Sequence, residues 1–211
     1  MICLGRNYLD HIKETNAPVP KEPVLFVKTP NCLIKNNDEI VYPRYLYENE
    51  LYNRVDHEVE LAFLIKEKCK HVKKSEAFEK VLGYTIFLDI TARKMQKLDR
   101  SKNLPWFRSK SFDTFGPIGP TIIPQSEIGD PHSLNIELKL NGEIKQSSNT
   151  KHLLFKIPYL IEYISSMFTL EKGDIIATGT PSGISPLTPG DVLEATIEKI
   201  GTLRTKVILE K

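Results

Sequence analysis

The sequence predicts an α+β fold in which strands dominate. Three observations lead there. Segments with period-two alternation of apolar residues outnumber segments with a helical stripe. Fourteen prolines and eleven glycines punctuate the 211 residues, which cuts the chain into many short elements. Strands and helices do not alternate regularly, which argues against a doubly wound parallel sheet.

Residues 1–4 read as a short strand and residues 7–14 as a short helix. PVLFVK (23–28) and residues 32–35 follow as strands, and the polar, tyrosine-rich stretch 38–55 reads as an irregular surface loop. HEVELAFLI (57–65) is a strand. Val59, Leu61, Phe63 and Ile65 form one apolar face, while Glu58 and Glu60 open the other, ahead of Ala62 and Leu64. VLGYTIFLD (81–89) is a further strand, followed by a short helix over 90–98. Residues 134–146 read as a hairpin with Asn141-Gly142 as its two-residue turn. The main helix falls within 152–168, where residues 153, 154, 157, 160, 161, 164, 167 and 168 form an apolar stripe. Pro158 either kinks this helix or starts it. Strands over 174–178, 191–198 and 203–209 close the chain. No repeat or linker divides it, so one domain over 1–211 is expected.

Composition narrows the function classes. A chain of this length buries roughly 70% of its unfolded surface, enough for a core without cross-links. Hydrophobic residues make up 40% and charged residues 27%, as in ordinary globular proteins. Lys and Arg number 29 against 27 acids, a balance too even for nucleic-acid or membrane binding by charge. The basic run 66–74 reads as a solvated edge or turn. Cys3, Cys32 and Cys69 are too few and too scattered for a disulfide framework or a zinc pattern, which fits a reducing compartment. No apolar window is long enough to span a membrane. Arg6, Asp10 and Lys13 interrupt any secretory leader. The expected location is the cytoplasm or the mitochondrial matrix.

Three acids stand out. Glu58 and Glu60 are two apart on a strand, so both carboxylates point to one side. Asp89 ends the apolar strand TIFLD. Carboxylates about 5 Å apart repel by about 3 kcal/mol per pair at an effective dielectric of about 20. If the three converge, a cation must compensate or a pKa must rise. Oxygen-only ligation favours magnesium or manganese over zinc. From spacing alone, Glu-x-Glu also fits a solvated sheet face, and Asp89 also fits a helix-capping acid.

Seven segments in order carry a resemblance. They are GRNYLDH (5–11), EPVLFVK (22–28), DHEVELAFLI (56–65), GYTIFLDITAR (83–93), LPWFRSKSFDTFGPIGP (104–120), LNGEIKQ (140–146) and GDIIATGTPSG (173–183). The sequence resembles the fumarylacetoacetate hydrolase superfamily, most closely its short acylpyruvase branch, over nearly the whole chain. The resemblance implies a mixed-sheet β-roll or β-sandwich with few short helices. It implies that Glu58, Glu60 and Asp89 hold Mg²⁺ or Mn²⁺, and that His11 and Glu14 are the family's His–Glu pair. Lys110 falls on the active-site lysine, Arg93 and Gln96 on substrate-side positions, and Thr180 on a position that helps bind the substrate carboxylate. The implied reaction is hydrolysis of acylpyruvates with release of pyruvate, together with oxaloacetate decarboxylation. Keto–enol tautomerisation of oxaloacetate, another 2-keto acid isomerase or hydratase activity, and a non-catalytic metabolite-binding role are the alternatives. The implied partners are a small 2-keto acid and a second copy of the chain in a homodimer.

Two departures from the wider family are visible. Leu88 precedes the aspartate where asparagine is frequent, and His57 precedes Glu58 where tyrosine is frequent. Leucine at the first position and the short loop 183–190 both suit the acylpyruvase branch. On a helix His11 and Glu14 share a face, so the carboxylate can fix the imidazole tautomer and raise its basicity. Trp106 reads as a lid or packing aromatic. Phe112 and Asp113 are expected to support the Lys110 loop. His71, His132 and His152 lie outside any ligand spacing.

Overall fold

The computed structural model describes residues 1–211, with 37% in strands and 24% in helices, as the mostly β reading expected. The first third holds β1 (Ile2–Gly5), α1 (Leu9–Glu14), β2 (Val24–Val27), β3 (Leu33–Ile34), β4 (Glu39–Tyr42), α2 (Arg44–Tyr47), β5 (Val55–Asp56) and β6 (Val59–Ile65). Then come β7 (Val81–Leu88), β8 (Thr91–Ala92), α3 (Arg93–Ser101), α4 (Phe107–Lys110), β9 (Gly116–Pro124) and α5 (Gln125–Ile128). The chain closes with β10 (Asn135–Leu140), β11 (Glu143–Asn149), α6 (Ile157–Met167), β12 (Ile175–Ala177), β13 (Val192–Ile197) and β14 (Gly201–Leu209).

Two sheets carry the fold. One has the strand order β2-β1-β12-β6-β7-β9-β3, the other β11-β10-β13-β14-β4. Most neighbours are antiparallel, but β1 with β12, β3 with β9 and β4 with β14 are parallel. β6 lies against β10, β7 against β13 and β9 against β14, so the sheets face each other across the core. No helix is long and apolar enough to cross a membrane. All three cysteines are buried and unpaired.

β6 organises both the core and the site. Every residue from Val59 to Ile65 is buried. Val59, Leu61, Phe63 and Ile65 join the main hydrophobic core. Ala62 points the other way, into a small cluster with Cys3, Phe87 and Ala177. The period-two alternation therefore separates a core face from the face that Glu58 and Glu60 share. Leu61 is fully buried in the larger cluster. Leu61→Ala is expected to destabilise the fold by about 2–5 kcal/mol, measured by urea unfolding with an unchanged m value.

Local chemistry explains the ends of several elements. Asn141 and Gly142 both have positive φ, 53° and 81°, as a type I′ hairpin turn requires. Pro158 starts α6 rather than kinking it, since it lies in the first turn where its missing N–H costs nothing. His132 Nε2 accepts the Ile157 N–H at 3.1 Å and so satisfies one free donor at that helix start.

Two expectations need correction, and one strand lies outside the sequence expectations. The stretch 38–55 is not a surface loop: it contains β4 and α2, and Ile40, Tyr42, Leu46 and Val55 are buried. β4 gains its order from parallel pairing with β14 at the far end of the chain. The helix expected over 90–98 runs over Arg93–Ser101, because Thr91 and Ala92 pair with Asp56 and Val55 first. β9 was not anticipated, since Pro117, Pro120 and Pro124 interrupt its sequence. It survives because its pairing with β7 shifts register and its pairing with β3 lasts only two residues.

Candidate active site

The acidic triad follows from strand pairing. Val59 on β6 lies opposite Leu88 on β7, and Glu60 lies opposite Phe87. Asp89 extends this ladder, its N–H donating to the Glu58 carbonyl at 2.8 Å. Glu58, Glu60 and Asp89 each offer a carboxylate oxygen, and these atoms lie within 4.8 Å of one another. All three residues are buried. The solvated-face and helix-cap readings left open by the sequence are therefore excluded for these acids.

Three cations offset part of this charge. Lys110 Nζ donates to Glu58 Oε2 at 2.8 Å and also bonds Asp89 Oδ2. Arg93 bonds Glu58 Oε1 through Nη2 and donates from Nε to Asp56 Oδ2 at 2.8 Å. Lys28, whose side chain is fully buried, donates to Asp89 Oδ1 at 2.9 Å and to the Ile90 carbonyl at 3.1 Å. Glu60 has no such partner. Its Oε2 accepts only the Gly179 N–H, at 2.8 Å.

The ionisation follows from these contacts. Burial pushes Glu58 up, but Lys110 and Arg93 outweigh it and hold the carboxyl below its ordinary range. Burial pushes Glu60 well above its ordinary range, and the charges of Asp89 and Glu58 add to the effect. Burial opposes the charge of Lys110, yet Asp89 and Glu58 hold the ammonium above its usual value. The cluster is thus short of positive charge at Glu60. The donor set fits a hard divalent cation: three carboxylates, no sulfur or imidazole among them, and one carboxylate with no cationic contact. Lys110 already bridges Glu58 and Asp89, so the pocket is built to hold positive charge between them.

The His11–Glu14 pair forms on α1 as their spacing predicted. His11 Nδ1 lies 2.9 Å from Glu14 Oε2. A carboxylate accepts only, so Nδ1 carries a proton, and in the neutral imidazole Nε2 is the nitrogen with the lone pair. Two contacts fix this helix to the loop after β12. Asp10 Oδ2 accepts the Ser182 hydroxyl at 2.8 Å, and Glu14 Oε1 accepts the Gly183 N–H at 2.9 Å. Asn7, fully buried, accepts from Phe155 N at 2.7 Å and donates to the Thr178 carbonyl at 2.8 Å. The loop itself demands glycine at 179, where φ is +93° and a Cβ would lie 2.9 Å from Asn7 Cβ. The Gly183 φ of +101° and a Cβ position 1.9 Å from the Lys145 carbonyl oxygen impose the same choice.

His11, Glu58, Glu60, Arg93, Gln96, Lys110 and Thr180 all line one cavity. Glu14 sits behind His11, and Asp89 sits beneath the cavity, fully buried. Gln96 is held by Arg93 Nη1, at 2.6 Å. The Thr180 hydroxyl donates to the Val59 carbonyl at 2.8 Å and accepts from Gln146 Nε2 at 2.8 Å. Gln146 also accepts from His57 and from Val59 N, both at 3.0 Å, so His57 belongs to a buried scaffold under the site. Burial holds His57 below its usual pKa, against the hydrogen bond that it donates to Gln146. Trp106 forms part of the cavity wall and packs against Phe26 with ring centroids 5.4 Å apart.

Sequence reasoning missed Lys28, Asp56 and Gln146. Lys28 ends the apolar run VLFV, where a lone lysine usually marks an exposed strand end. Asp56 and Gln146 carry no spacing signal at all. Each becomes visible only once strands remote in sequence are brought together.

Comparisons with known proteins identify the family. The family model described as fumarylacetoacetate (FAA) hydrolase C-terminal matches residues 1–208. A protein of Pyrococcus abyssi is 52% identical over 210 residues, covering 100% of this chain and 90% of its own length. The bovine mitochondrial oxaloacetate tautomerase FAHD1 is 39% identical over 207 residues, covering 98% of this chain and 90% of its own. Among solved structures, fumarylpyruvate hydrolase from Pseudomonas aeruginosa, in complex with Mn²⁺ and pyruvate, superposes with a TM-score of 0.91 at 31% identity. That alignment covers 99% of this chain and 89% of the other. This chain belongs to the fumarylacetoacetate hydrolase family.

Proposed function

We propose that this protein is an enzyme that moves protons at C3 of a small 2-keto acid of the oxaloacetate type, interconverting keto and enol forms. Magnesium or manganese held by Glu58, Glu60 and Asp89 is the proposed cofactor. One observation carries the reading: Glu58 and Glu60 of the buried acidic triad line the same cavity as a histidine whose ring is oriented by a carboxylate, and Asp89 lies against them. When bound, the cation would draw electrons from the substrate's carboxylate and 2-keto oxygens, which acidifies the neighbouring C–H.

The chain's own residues supply the rest. His11 takes the C3 proton on Nε2, while Glu14 holds Nδ1–H and stabilises the imidazolium that forms; the enolate oxygen then takes a proton from solvent as the imidazolium releases one. The Lys110 ammonium donates to the oxygen on which negative charge develops, a contact worth roughly 3 kcal/mol in comparable sites. Arg93 is committed to Asp56, Glu58 and Gln96 and acts as a positioning residue. Thr180 meets the substrate carboxylate through its backbone N–H, because its hydroxyl already donates to the Val59 carbonyl and accepts from Gln146.

A second reading shares the same enolate. In acylpyruvate hydrolysis, His11 draws a proton from water, the hydroxide attacks the distal carbonyl, and the C–C bond breaks to leave pyruvate enolate. In decarboxylation, loss of carbon dioxide leaves that enolate with no attacking water. The His11–Glu14 pair and the likeness to a fumarylpyruvate hydrolase support hydrolysis. The sequence reading placed it first. The 39% identity to a protein named as an oxaloacetate tautomerase puts tautomerisation ahead.

The test uses metal-stripped protein with Mg²⁺ or Mn²⁺ restored, assayed on enol-oxaloacetate, keto-oxaloacetate and acetopyruvate. His11→Asn is expected to lower tautomerisation and hydrolysis by about 10²- to 10⁴-fold. Decarboxylation should fall much less, because it needs no proton removed from water or carbon. An equal loss in all three assays contradicts this division of roles.

A further inference from the structure

Two guanidinium groups in the cavity have no partner. The chain has seven arginines, and five of them, Arg44, Arg54, Arg93, Arg108 and Arg204, pair with a carboxylate. The remaining two are Arg6 and Arg100, and both line the cavity that holds Glu58, Glu60, His11 and Lys110. Unpaired arginines scattered over a surface are ordinary. Two in one pocket, in a chain that pairs all the others, are not.

Arg6 is half-buried and Arg100 exposed, and the backbone accounts for both placements. Arg100 lies on α3 seven residues after Arg93 and four after Gln96, so all three share one helical face. Arg93 is consumed by Asp56 and Glu58, whereas Arg100 is left free. Arg6 leaves β1 with φ +59°, a left-handed conformation that few residues other than glycine adopt. Its guanidinium carbon sits 5.9 Å from the centre of the Trp106 ring, whose face favours a cation. Burial, and after it the charge of Arg100, holds Arg6 below its ordinary pKa. Two like charges kept close in a pocket are relieved by an anion between them. Arg100 also lines a neighbouring hollow in which Arg54, Arg93, Lys97 and Arg100 outnumber Glu14 and Asp56, a net positive surface that draws anions in.

We infer that Arg6 and Arg100 form the subsite for a second, distal carboxylate of the substrate, so that the site selects 2-keto diacids over 2-keto monoacids. This rests on the keto-acid reading above and adds the residues that decide its chain length and charge. The acidic triad with its cation engages the 2-keto carboxylate end. The arginine pair engages the other end.

The experiment compares oxaloacetate with its 4-methyl ester, which removes the distal charge and keeps the reacting carbons. Wild type, Arg6→Asn, Arg100→Gln and Arg100→Lys are assayed with Mg²⁺, asparagine being chosen because it tolerates left-handed backbone. For oxaloacetate, kcat/KM is expected to fall about 10- to 100-fold in each neutral variant, the size of one lost charge-assisted contact. The ester should keep its wild-type value in every variant, and Arg100→Lys should recover part of the diacid activity. Calorimetry with two unreactive probes runs alongside: malate binding should weaken in the neutral variants and oxalate binding should not. If the wild type turns over no keto acid but binds malate in this arginine-dependent way, the proposed activity falls and the diacid subsite stands. Equal losses for diacid and ester, or equal weakening of malate and oxalate, overturn the subsite.

Discussion

Glu60→Gln is expected to abolish turnover while leaving the metal-free protein at least as stable as the wild type at neutral pH. Glu60 is the triad member with no cationic contact, held only by the Gly179 N–H. Glutamine keeps that acceptor and removes the charge, so the loop after β12 stays in place. Loss of one of the three proposed oxygen ligands and of one negative charge should lower kcat/KM by at least about 10³-fold at fixed Mg²⁺. Stability runs the other way. The folded-state pKa of Glu60 lies well above its ordinary value of 4.5. A group raised in this way contributes stability that is complete below its unfolded pKa and is lost as pH rises through its folded pKa. Metal-free wild type should therefore lose stability as pH climbs above about 4.5, and Glu60→Gln should lack that part of the slope. Glu58, whose folded pKa is depressed, acts oppositely: its stabilisation is present above its unfolded pKa and fades as pH falls. Adding Mg²⁺ reverses the ranking at pH 7, because only the wild type gains binding free energy, about 2.7 kcal/mol at a hundredfold excess over Kd. Melting curves of both proteins with and without Mg²⁺, across pH 4 to 8, read out the crossing.

Lys28→Met is expected to cost about 3–5 kcal/mol of stability, the range for removing one partner of a buried ion pair. Lys28 and Asp89 are both fully shielded from water in their side chains, 2.9 Å apart. Methionine fits the volume but leaves Asp89 Oδ1 without its cation, and the Ile90 carbonyl without its donor. A double-mutant cycle separates the causes. In an Asp89→Asn background the same substitution should cost at least about 1 kcal/mol less, since the stranded charge is gone. A cost that does not change with the residue at 89 would mean that Lys28 acts through packing against Phe87 rather than through Asp89. Urea midpoints at constant m value give all four free energies.

Much of the site was legible because its carriers sit in short, ordered motifs. The strand HEVELAFLI revealed its two faces by alternation alone, and the split between Leu61 in the core and Glu60 in the cavity follows it. His11 and Glu14 met as three-apart residues on a helix do. What stayed hidden depended on contacts between remote segments. Lys28 reads as an exposed strand end until β7 brings Asp89 to it from 61 residues away. The stretch 38–55 looks like polar loop until β14 supplies a partner for Glu39–Tyr42. The proline-rich β9 defeats propensity because neighbours on each side tolerate gaps in its hydrogen bonding. The opposite case is Arg93, which the family pattern places beside the substrate. Its donors are engaged by Asp56, Glu58 and Gln96, which makes it a brace for the triad.

Crystals grown with Mn²⁺ and oxalate, measured for anomalous scattering, address the triad directly. A single strong peak bonded to carboxylate oxygens of Glu58, Glu60 and Asp89, absent from Glu60→Gln crystals treated in the same way, is the predicted result. A Mn²⁺ peak elsewhere in the molecule, or one equally strong at this place without the Glu60 carboxylate, would contradict the account.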